Sequence, residues 1–185
     1  MILKQIHSNL PGITIISREI YRDNRGYTLE TFRNSLFHEH GLPALFMQDL
    51  ISSSDKGIVR GLHYQLPPNE QGKFVEVLFG SIFDVVLDLR NSSKTFGQWQ
   101  GFDLTSTTGE GIWIPPGFAH GFQSLQDGTI VSYKLTREYK PDSQRGILWS
   151  DPKLEIKWPI PNAIVSERDG KQPIFDMAET FTNLG

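Results

Sequence analysis

The stretch FVEVLFGSIFDVVLDLR, residues 74–90, contains two apolar runs that are separated by Gly80 and Ser81. Within the second run, every second residue is apolar: Phe83, Val85, Leu87 and Leu89. The residues between them are two apolar ones and two aspartates: Ile82, Asp84, Val86 and Asp88. This period of two predicts a β-strand. The glycine and serine between the runs predict a hairpin turn that pairs the two strands.

Short apolar runs recur along the rest of the chain, punctuated by glycine, proline and polar turns. Further strand-like segments occupy residues 97–105, 111–116, 120–125 and 129–136. Only NSLFHEHG, residues 34–41, is helical in character, with Asn34 as the expected N-cap and Gly41 as its end. The prolines of the tail from Pro152 onward predict irregular structure wrapped around the strands. The sequence therefore predicts one all-β domain over residues 1–185, a sandwich or barrel with little helix.

Composition and charge exclude several classes of function. A chain of 185 residues can bury a full core as one domain, and a net charge of -3 does not suit nucleic-acid binding. The chain has no cysteine, which excludes disulfides and thiol chemistry. No segment is apolar enough to span a membrane, and the first residues do not form a signal peptide. We therefore expect a soluble cytoplasmic protein without nucleic-acid or membrane partners.

Two of the five histidines, His63 and His120, lie inside strand-like stretches between apolar residues. Taken alone, either one suits a structural core histidine. His120 ends the pattern Pro115-x-Gly117-x-x-His120, which resembles the second motif of cupin barrels. A metal-binding cupin would carry His-x-His in its first motif, but here Gln65 stands in the second position.

Two imidazoles and one amide make a poor site for zinc or iron, which prefer three or four good ligands. Glu70 or Glu76 would have to complete such a site, so we predict that no metal is bound. Without a metal, the imidazole of His63 becomes a candidate general base near neutral pH.

The neighbours of His63 suggest an anionic substrate. Strict alternation would place Arg60 and His63 on opposite faces of a strand, but Gly61 between them allows a bulge that turns both side chains inward. Arg60, Arg25 and Lys73 are then candidates to hold a phosphate-bearing ligand, although each residue taken alone fits a solvated surface charge better.

Two segments, RGLHYQ at residues 60–65 and WIPPGFAHGF at residues 113–122, occur in an order and spacing that are typical of one family. Further segments follow the same pattern nearly from end to end, including DNRGYTLETF, QGKFVEVLFGSIFDVVLDLR, YKLTREYKP and VSERD. On these segments the chain resembles the dTDP-4-dehydrorhamnose 3,5-epimerases, cupin enzymes that act on nucleotide-linked 4-keto-6-deoxy sugars.

The resemblance implies a cupin-type jelly-roll barrel with a few short peripheral helices, a homodimer, and catalysis without a metal or an organic cofactor. It also implies roles for four catalytic residues: His63 as the base, Asp169 as its partner, Tyr133 as the acid and Lys73 at the keto oxygen. Contacts with the nucleotide-sugar substrate are implied for Arg25, Glu30, Gln48, Arg60, His120, Tyr139, Gln144 and Arg168.

The implied reaction inverts C3 and C5 of a dTDP-4-keto-6-deoxy-hexose and converts dTDP-4-dehydro-6-deoxyglucose to dTDP-4-dehydrorhamnose. Protons on C3 and C5 are acidic because the C4 carbonyl delocalises the resulting carbanion as an enolate. Catalysis then needs a base on one face, a group that stabilises the oxyanion, and a proton donor on the opposite face. His63, Lys73 and Tyr133 are suitable residue types for these three tasks, and no redox step occurs.

Three positions depart from the family's pattern and leave the nucleotide and the sugar open. Leu50 follows Gln48 and Asp49 where the family typically has asparagine, Gln144 stands where glutamate is common, and Arg168 stands where lysine is common.

Other functions remain as alternatives. The chain could be an epimerase that inverts only C3 or only C5, a sugar ketoisomerase, or a non-catalytic cupin that binds a nucleotide-sugar. The presence of His63, Asp169 and Tyr133 together favours an enzyme, because a binding module has no need of an acid opposite a base.

Overall fold

The computed structural model of the chain describes residues 3–182, which form two antiparallel β-sheets, a β-hairpin and one short α-helix. In order across the six-stranded sheet, the strands are β1 (Leu3–His7), β2 (Thr14–Arg18), β10 (Glu110–Ile114), β7 (Lys73–Phe79), β12 (Thr129–Leu135) and β5 (Gln48–Ser54). In order across the five-stranded sheet, they are β13 (Gln144–Gly146), β6 (Val59–Gln65), β11 (Phe118–Ser124), β8 (Ser81–Asp88) and β9 (Trp99–Thr105). The hairpin joins β3 (Ile20–Asp23) to β4 (Gly26–Leu29), and the helix α1 spans Asn34–Glu39.

Successive strands along the chain alternate between the two large sheets. From β5 to β13 the chain changes sheet at every step except between β8 and β9, which are neighbours in the five-stranded sheet. The sheets face each other across an apolar core that includes Val75 and Ile112 from one sheet and Ile82 and Phe122 from the other. This arrangement confirms the predicted all-β class and the jelly-roll barrel.

The predicted hairpin at Gly80 and Ser81 is wrong. β7 ends at Phe79 in one sheet, and β8 begins at Ser81 in the other. The two strands do not pair because each has other neighbours on both sides: β7 lies between β10 and β12, and β8 lies between β11 and β9. Gly80 instead carries the chain from one sheet to the other with a φ of +83°, a conformation that favours glycine.

The predicted alternation along β8 is confirmed, and both of its faces are buried. Ile82 and Val86 belong to the core between the sheets, whereas Val85 and Leu87 belong to a second apolar cluster. Residues of the C-terminal tail complete that second cluster, among them Leu154, Phe175 and Phe181. Apart from isolated bridges and the short 3₁₀ turns Asp169–Lys171 and Phe175–Met177, the described tail after residue 146 is irregular, as predicted.

The short helix is confirmed, but its start differs by one residue from the prediction. The N-cap is Arg33 rather than Asn34. Asn34 is the first helical residue, and its side-chain amide donates a hydrogen bond to the carbonyl oxygen of Ala44, so it does not cap the helix. Gly41 follows the helix with a φ of +69°, as expected of a residue that ends one. In the described part of the chain, no helix is long and apolar enough to cross a membrane.

Candidate active site

A cavity of about 920 Å³ opens between the two sheets and is also lined by part of the C-terminal tail. Both strand histidines, His63 and His120, line it. The structure brings ten of the twelve predicted site residues to this cavity: Gln48, Arg60, His63, Lys73, His120, Tyr133, Tyr139, Gln144, Arg168 and Asp169. Strands of both sheets supply most of them, so the cavity exists only in the folded barrel.

Arg25 and Glu30 are the two predicted contacts that the structure does not bring to the cavity. Arg25 lies in the turn of the β3–β4 hairpin, where its guanidinium pairs with Asp23 and is 85% exposed. Glu30 follows the hairpin and pairs with Arg33. Within one chain, both residues therefore form exposed local ion pairs away from the other predicted site residues.

The bulge predicted beside Gly61 is confirmed. β11 pairs His120 with His63 and Phe122 with Arg60, so two steps along β11 oppose three steps along β6. Gly61 has a φ of +134°, and a Cβ at this position would lie 2.5 Å from the Cα of Gly121. The extra residue reverses the alternation, and Arg60 and His63 both line the cavity.

His63 forms the predicted pair with Asp169, which the C-terminal tail carries in its 3₁₀ turn. Nε2 of His63 lies 2.6 Å from Oδ1 of Asp169, and the N–H of Gly61 donates to the other carboxylate oxygen at 3.3 Å. Burial raises the pKa of Asp169, but the hydrogen bond and charge of His63 and the N–H of Gly61 lower it by more, so its pKa is below the ordinary value. An ionised carboxylate only accepts hydrogen bonds. The proton therefore resides on Nε2, and Nδ1 is the nitrogen available to act as a base.

Lys73, at the start of β7, is buried in the wall of the cavity. Its Nζ donates a hydrogen bond to the carbonyl oxygen of His63 at 3.1 Å. Burial lowers the pKa of Lys73 from 10.5 to about 8, while the negative charge of Asp84 opposes that shift. The ammonium group is therefore still mostly protonated at neutral pH, in surroundings where one positive charge acts strongly.

Tyr133 enters the cavity from β12, in the sheet opposite the one that carries His63. The side chain is buried, and this burial raises the pKa of its phenol, which keeps the hydroxyl protonated. Its Oη lies 3.5 Å from Oγ of Ser52 on the neighbouring strand β5. A protonated phenol and an imidazole held by a carboxylate thus project from opposite sheets into one cavity.

A second histidine–aspartate pair lies deeper in the barrel. Nε2 of His120 lies 2.7 Å from Oδ2 of Asp84, and both side chains are almost fully buried. Among the described residues, the other oxygen of Asp84 has no hydrogen-bond partner. Because Asp84 occupies Nε2, the ring nitrogen of His120 that a ligand could reach is Nδ1. The ring of Tyr133 packs edge-on against this imidazole, with centroids 6.2 Å apart.

Three further predicted contacts that line the cavity, Gln48, Tyr139 and Gln144, differ in their hydrogen bonding within the chain. Gln48 accepts a hydrogen bond from the backbone N–H of Tyr139 at 2.7 Å, and the ring of Tyr139 is partly exposed. The side-chain oxygen of Gln144 is buried and lacks a hydrogen-bond partner within the described part of the chain. A ligand that donates a hydrogen bond in this part of the cavity would satisfy that oxygen.

Gln65, which stands where a metal cupin has its second histidine, is already engaged by the backbone. Its Nε2 donates to the carbonyl oxygen of Asn69 at 2.7 Å, and its Oε1 accepts from the N–H of Lys140 at 2.8 Å. Glu76 pairs with Arg18 instead of facing the histidines. Neither side chain is free to complete a metal site with His63 and His120. Among the described residues, no three His, Asp or Glu side chains lie together as metal ligands would, so Glu70 does not complete such a site either, and the donor set does not fit a metal.

Sequence reasoning missed three residues that support the site. In the sequence, Asp84 is one position of the alternating pattern in residues 82–89, and a carboxylate on the same face as Ile82 and Val86 indicates a buried polar partner. The sequence gives no sign of the roles of Ser52 and Ser54. Ser52 contacts Tyr133, which is 81 residues away in sequence, and Ser54 contacts Arg60, which lies on a strand of the other sheet.

Comparison with known proteins agrees with the geometry of this cavity. Residues 7–177 match the family model described as dTDP-4-dehydrorhamnose 3,5-epimerase. The enzyme of that name from Methanothermobacter thermautotrophicus is 46% identical over 167 residues, which cover 89% of this chain and 90% of the relative.

Solved structures agree as well. The dTDP-6-deoxy-D-glucose-3,5-epimerase of Legionella pneumophila, in complex with dTDP-4-keto-L-rhamnose, has a TM-score of 0.94 at 37% identity, with 100% of both chains covered. A 3'-monoepimerase from Streptomyces bikiniensis in complex with dTDP-quinovose has a TM-score of 0.84 at 29% identity, with 90% of this chain and 85% of that chain covered. The chain belongs to the dTDP-4-dehydrorhamnose 3,5-epimerase family.

Proposed function

We propose that this chain inverts C3 and C5 of a dTDP-4-keto-6-deoxy-hexose, converting dTDP-4-dehydro-6-deoxyglucose to dTDP-4-dehydrorhamnose. One observation carries the proposal: the His63–Asp169 pair and the Tyr133 phenol line the same cavity from opposite sheets. An epimerase needs this arrangement, because the proton must leave one face of the sugar ring and return to the other.

In the first step, Nδ1 of His63 removes the proton from C3 or C5. Asp169 holds the imidazole by Nε2 and stabilises the imidazolium that forms, as the carboxylate does in a catalytic triad. The electron pair of the broken C–H bond moves into the ring and develops as negative charge on the C4 oxygen.

Lys73 stabilises this oxyanion. Its ammonium group is fixed by the carbonyl oxygen of His63 and lies in a buried wall of the cavity, where a positive charge needs little reorganisation to meet the developing negative charge. The second histidine pair, His120 with Asp84, offers a further hydrogen-bonding group beside the same cavity.

In the second step, Tyr133 gives its proton to the opposite face of the carbanion, and the centre is inverted. The phenolate that remains then regains a proton from solvent, and the imidazolium of His63 releases its proton to solvent. Because only protons move and no electrons leave the substrate, we propose that neither a metal nor an organic cofactor takes part.

Two arginines are suited to the anionic diphosphate of the substrate. Arg60 and Arg168 both line the cavity, and a guanidinium binds phosphate oxygens with two parallel hydrogen bonds. Gln48, Tyr139 and Gln144 are the remaining predicted contacts that line the cavity.

We also propose a cytoplasmic homodimer. The exposed Ile51 on the edge strand β5 supports an association between chains, because edge strands readily pair or pack with other chains. Arg25 and Glu30 lie outside their own cavity, so they would contact substrate only in the cavity of a second copy. Sedimentation of the protein at the mass of two chains would support the dimer.

The alternative is an epimerase that inverts one centre only. The structural similarity to the 3'-monoepimerase supports this alternative. Incubation with dTDP-4-keto-6-deoxyglucose in heavy water separates the two. Deuterium at both C3 and C5 supports the double epimerase, and label at one carbon supports a mono-epimerase. If no deuterium is incorporated, the chain is a binding protein rather than an enzyme.

The same assay tests the roles of the base and the acid. His63→Ala is expected to lower the rate of exchange by about 10²–10⁴-fold, the usual contribution of a general base. Tyr133→Phe is expected to retain exchange while inversion falls sharply, since His63 still removes the proton, exchanges it with solvent and returns a deuteron to the same face. Equal losses of exchange and inversion in Tyr133→Phe would mean that the tyrosine supports the site without donating the proton.

A further inference from the structure

Strand β5 ends in three consecutive serines, Ser52, Ser53 and Ser54, at the edge of the six-stranded sheet. Three small polar side chains bury little apolar surface and contribute little to the core. Instead, the backbone and hydroxyls of this serine segment contact two residues of the proposed site, which lie on different strands.

The first contact is with Arg60. Its Nε donates to Oγ of Ser54 at 2.9 Å, and its Nη2 donates to the carbonyl oxygen of Ser53, also at 2.9 Å. Arg60 belongs to β6 in the five-stranded sheet, so these bonds connect the two sheets beside the cavity. They use two of the five N–H donors of the guanidinium and leave three for a ligand.

The second contact is with Tyr133. Oγ of Ser52 lies 3.5 Å from the phenol oxygen, and it is the hydrogen-bond partner that the described residues offer to this hydroxyl. Ser52 also lines the cavity, whereas Ser54 is only 3% exposed and does not. Alternation along β5 places Ser52 and Ser54 on the same face of the strand.

We propose that Ser52 and Ser54 are positioning residues of this enzyme: Ser52 orients the phenol of Tyr133, and Ser54 orients the guanidinium of Arg60 toward the anionic part of the substrate. The inference rests on the proposed function, because it assigns each serine to a partner with a different task. The two serines therefore affect different kinetic quantities.

Ser54→Ala removes one of the two bonds that hold Arg60 and affects substrate binding. KM is expected to rise by about 2- to 10-fold, the equivalent of one net hydrogen bond, with kcat nearly unchanged. Ser52→Ala leaves the phenol without its partner and affects the return of the proton. The ratio of inversion to solvent exchange is expected to fall by about 2- to 10-fold, with KM nearly unchanged.

Ser132→Ala is the matched control. Ser132 precedes Tyr133 on β12, and by alternation its side chain points to the other face of the sheet. This variant removes a serine hydroxyl beside the same tyrosine and is expected to keep both KM and the inversion-to-exchange ratio. Ser52→Thr, which restores a hydroxyl, is expected to recover the ratio that Ser52→Ala loses.

The outcomes are distinguishable in heavy water with dTDP-4-keto-6-deoxyglucose. If Ser52→Ala loses exchange and inversion equally, or Ser54→Ala leaves KM unchanged, the corresponding assignment is wrong. If Ser132→Ala has the same effects as the two variants, the serine segment has only a structural role. Absence of exchange in the unmutated protein would instead contradict the proposed function, whatever the serine variants do.

Discussion

Burial determines the charge state of Lys73 and Tyr133, the two residues of the six-stranded sheet to which we assign catalytic roles. The pKa of Lys73 is lowered from 10.5 to about 8, and the pKa of Tyr133 is raised, in each case chiefly because the charged form is poorly solvated in the barrel. The tyrosine is therefore protonated at neutral pH. The lysine keeps its charge at neutral pH, but only by a small margin.

Lys73→Met is expected to abolish catalysis and yet to stabilise the fold at pH 7. A lysine whose pKa is lower in the folded chain than in the unfolded chain costs stability wherever it is charged in both states. That cost is present below about pH 8 and is relieved as pH rises from about 8 to 10.5. The pKa shift of Lys73 corresponds to a cost of roughly 3 kcal/mol in the free energy of unfolding. The variant relieves this cost but loses about 1 kcal/mol with the hydrogen bond to His63.

Urea denaturation of both proteins at pH 7 and pH 10 measures this effect. At pH 7, the Lys73→Met variant should have a larger free energy of unfolding than the unmutated protein. This difference should shrink toward pH 10. The unmutated enzyme should also lose kcat/KM above about pH 8, as Lys73 loses its proton. A stability difference that is independent of pH would mean that Lys73 has the same pKa in the folded and unfolded chain, so that burial does not lower it.

Leu50 places an apolar side chain in the cavity wall, directly across from Tyr133 in the pairing of β5 with β12. Since a leucine cannot hydrogen-bond a nucleotide, Leu50→Asn is expected to tighten dTDP binding by about 2- to 10-fold, the equivalent of one neutral hydrogen bond. Calorimetric titration of dTDP measures the change, and Leu50→Ala is the control that removes the leucine without adding a polar group. Weaker binding by the asparagine variant would mean that the cavity is adapted to another ligand.

Two structural elements bring the proposed catalytic pair together, the bulge in β6 and the C-terminal tail. The bulge turns Arg60 and His63 to the same side, and the tail carries Asp169 to within 2.6 Å of the imidazole. The tail itself is held by the outer face of the five-stranded sheet and by the buried carboxylate of Asp151, which accepts backbone hydrogen bonds from Leu154 and Phe175. Packing of the tail is therefore a condition for forming the base.

Gly61→Ala is expected to disrupt the bulge. The φ of +134° is strained for alanine, and the new Cβ would lie 2.5 Å from the Cα of Gly121 and 3.0 Å from the carbonyl oxygen of His120. Strain of this kind costs about 1–3 kcal/mol before the overlap is counted. The free energy of unfolding should fall by more than that amount, and kcat/KM should fall even for the folded fraction, because Arg60 and His63 lose their common orientation.

Gly128→Ala is the matched control for this variant. Gly128 also has a positive φ, of +66°, but the nearest atom to a new Cβ is 4.0 Å away. The free energy of unfolding of Gly128→Ala should fall by only about 1–2 kcal/mol, the cost of the left-handed conformation, and the variant should keep full activity. If the two variants were equally stable and equally active, the close contact at the bulge would not matter for the site.

At the level of the whole molecule, a barrel typical of metal-binding cupins here surrounds a site for acid–base chemistry. Gln65 is bonded to the backbone at Asn69 and Lys140, so it stabilises a loop where a metal ligand would otherwise stand. We therefore expect activity to survive exhaustive chelation with EDTA followed by gel filtration. Loss of activity that returns only with a divalent ion would contradict this expectation and support a metal site.

Much of the architecture follows from local patterns in the sequence. The period of two along residues 82–89, the short helix and the irregular tail are all present in the structure. The catalytic candidates were found because His63 and His120 interrupt apolar strands within recognisable motifs. These features were predictable because they depend on neighbouring residues or on motifs that the family shares.

Other features depended on which strands become neighbours, and only the tertiary structure decided them. Gly80 joins two sheets instead of forming a hairpin, because β7 pairs with β10 and β12 whereas β8 pairs with β9 and β11. Asn34 binds a distant carbonyl instead of capping its helix, and Asp84 and Ser54 acquire their roles from His120 and Arg60. Hydrogen bonds between strands form at positions that the register of the sheets selects, and a local pattern contains no information about that register.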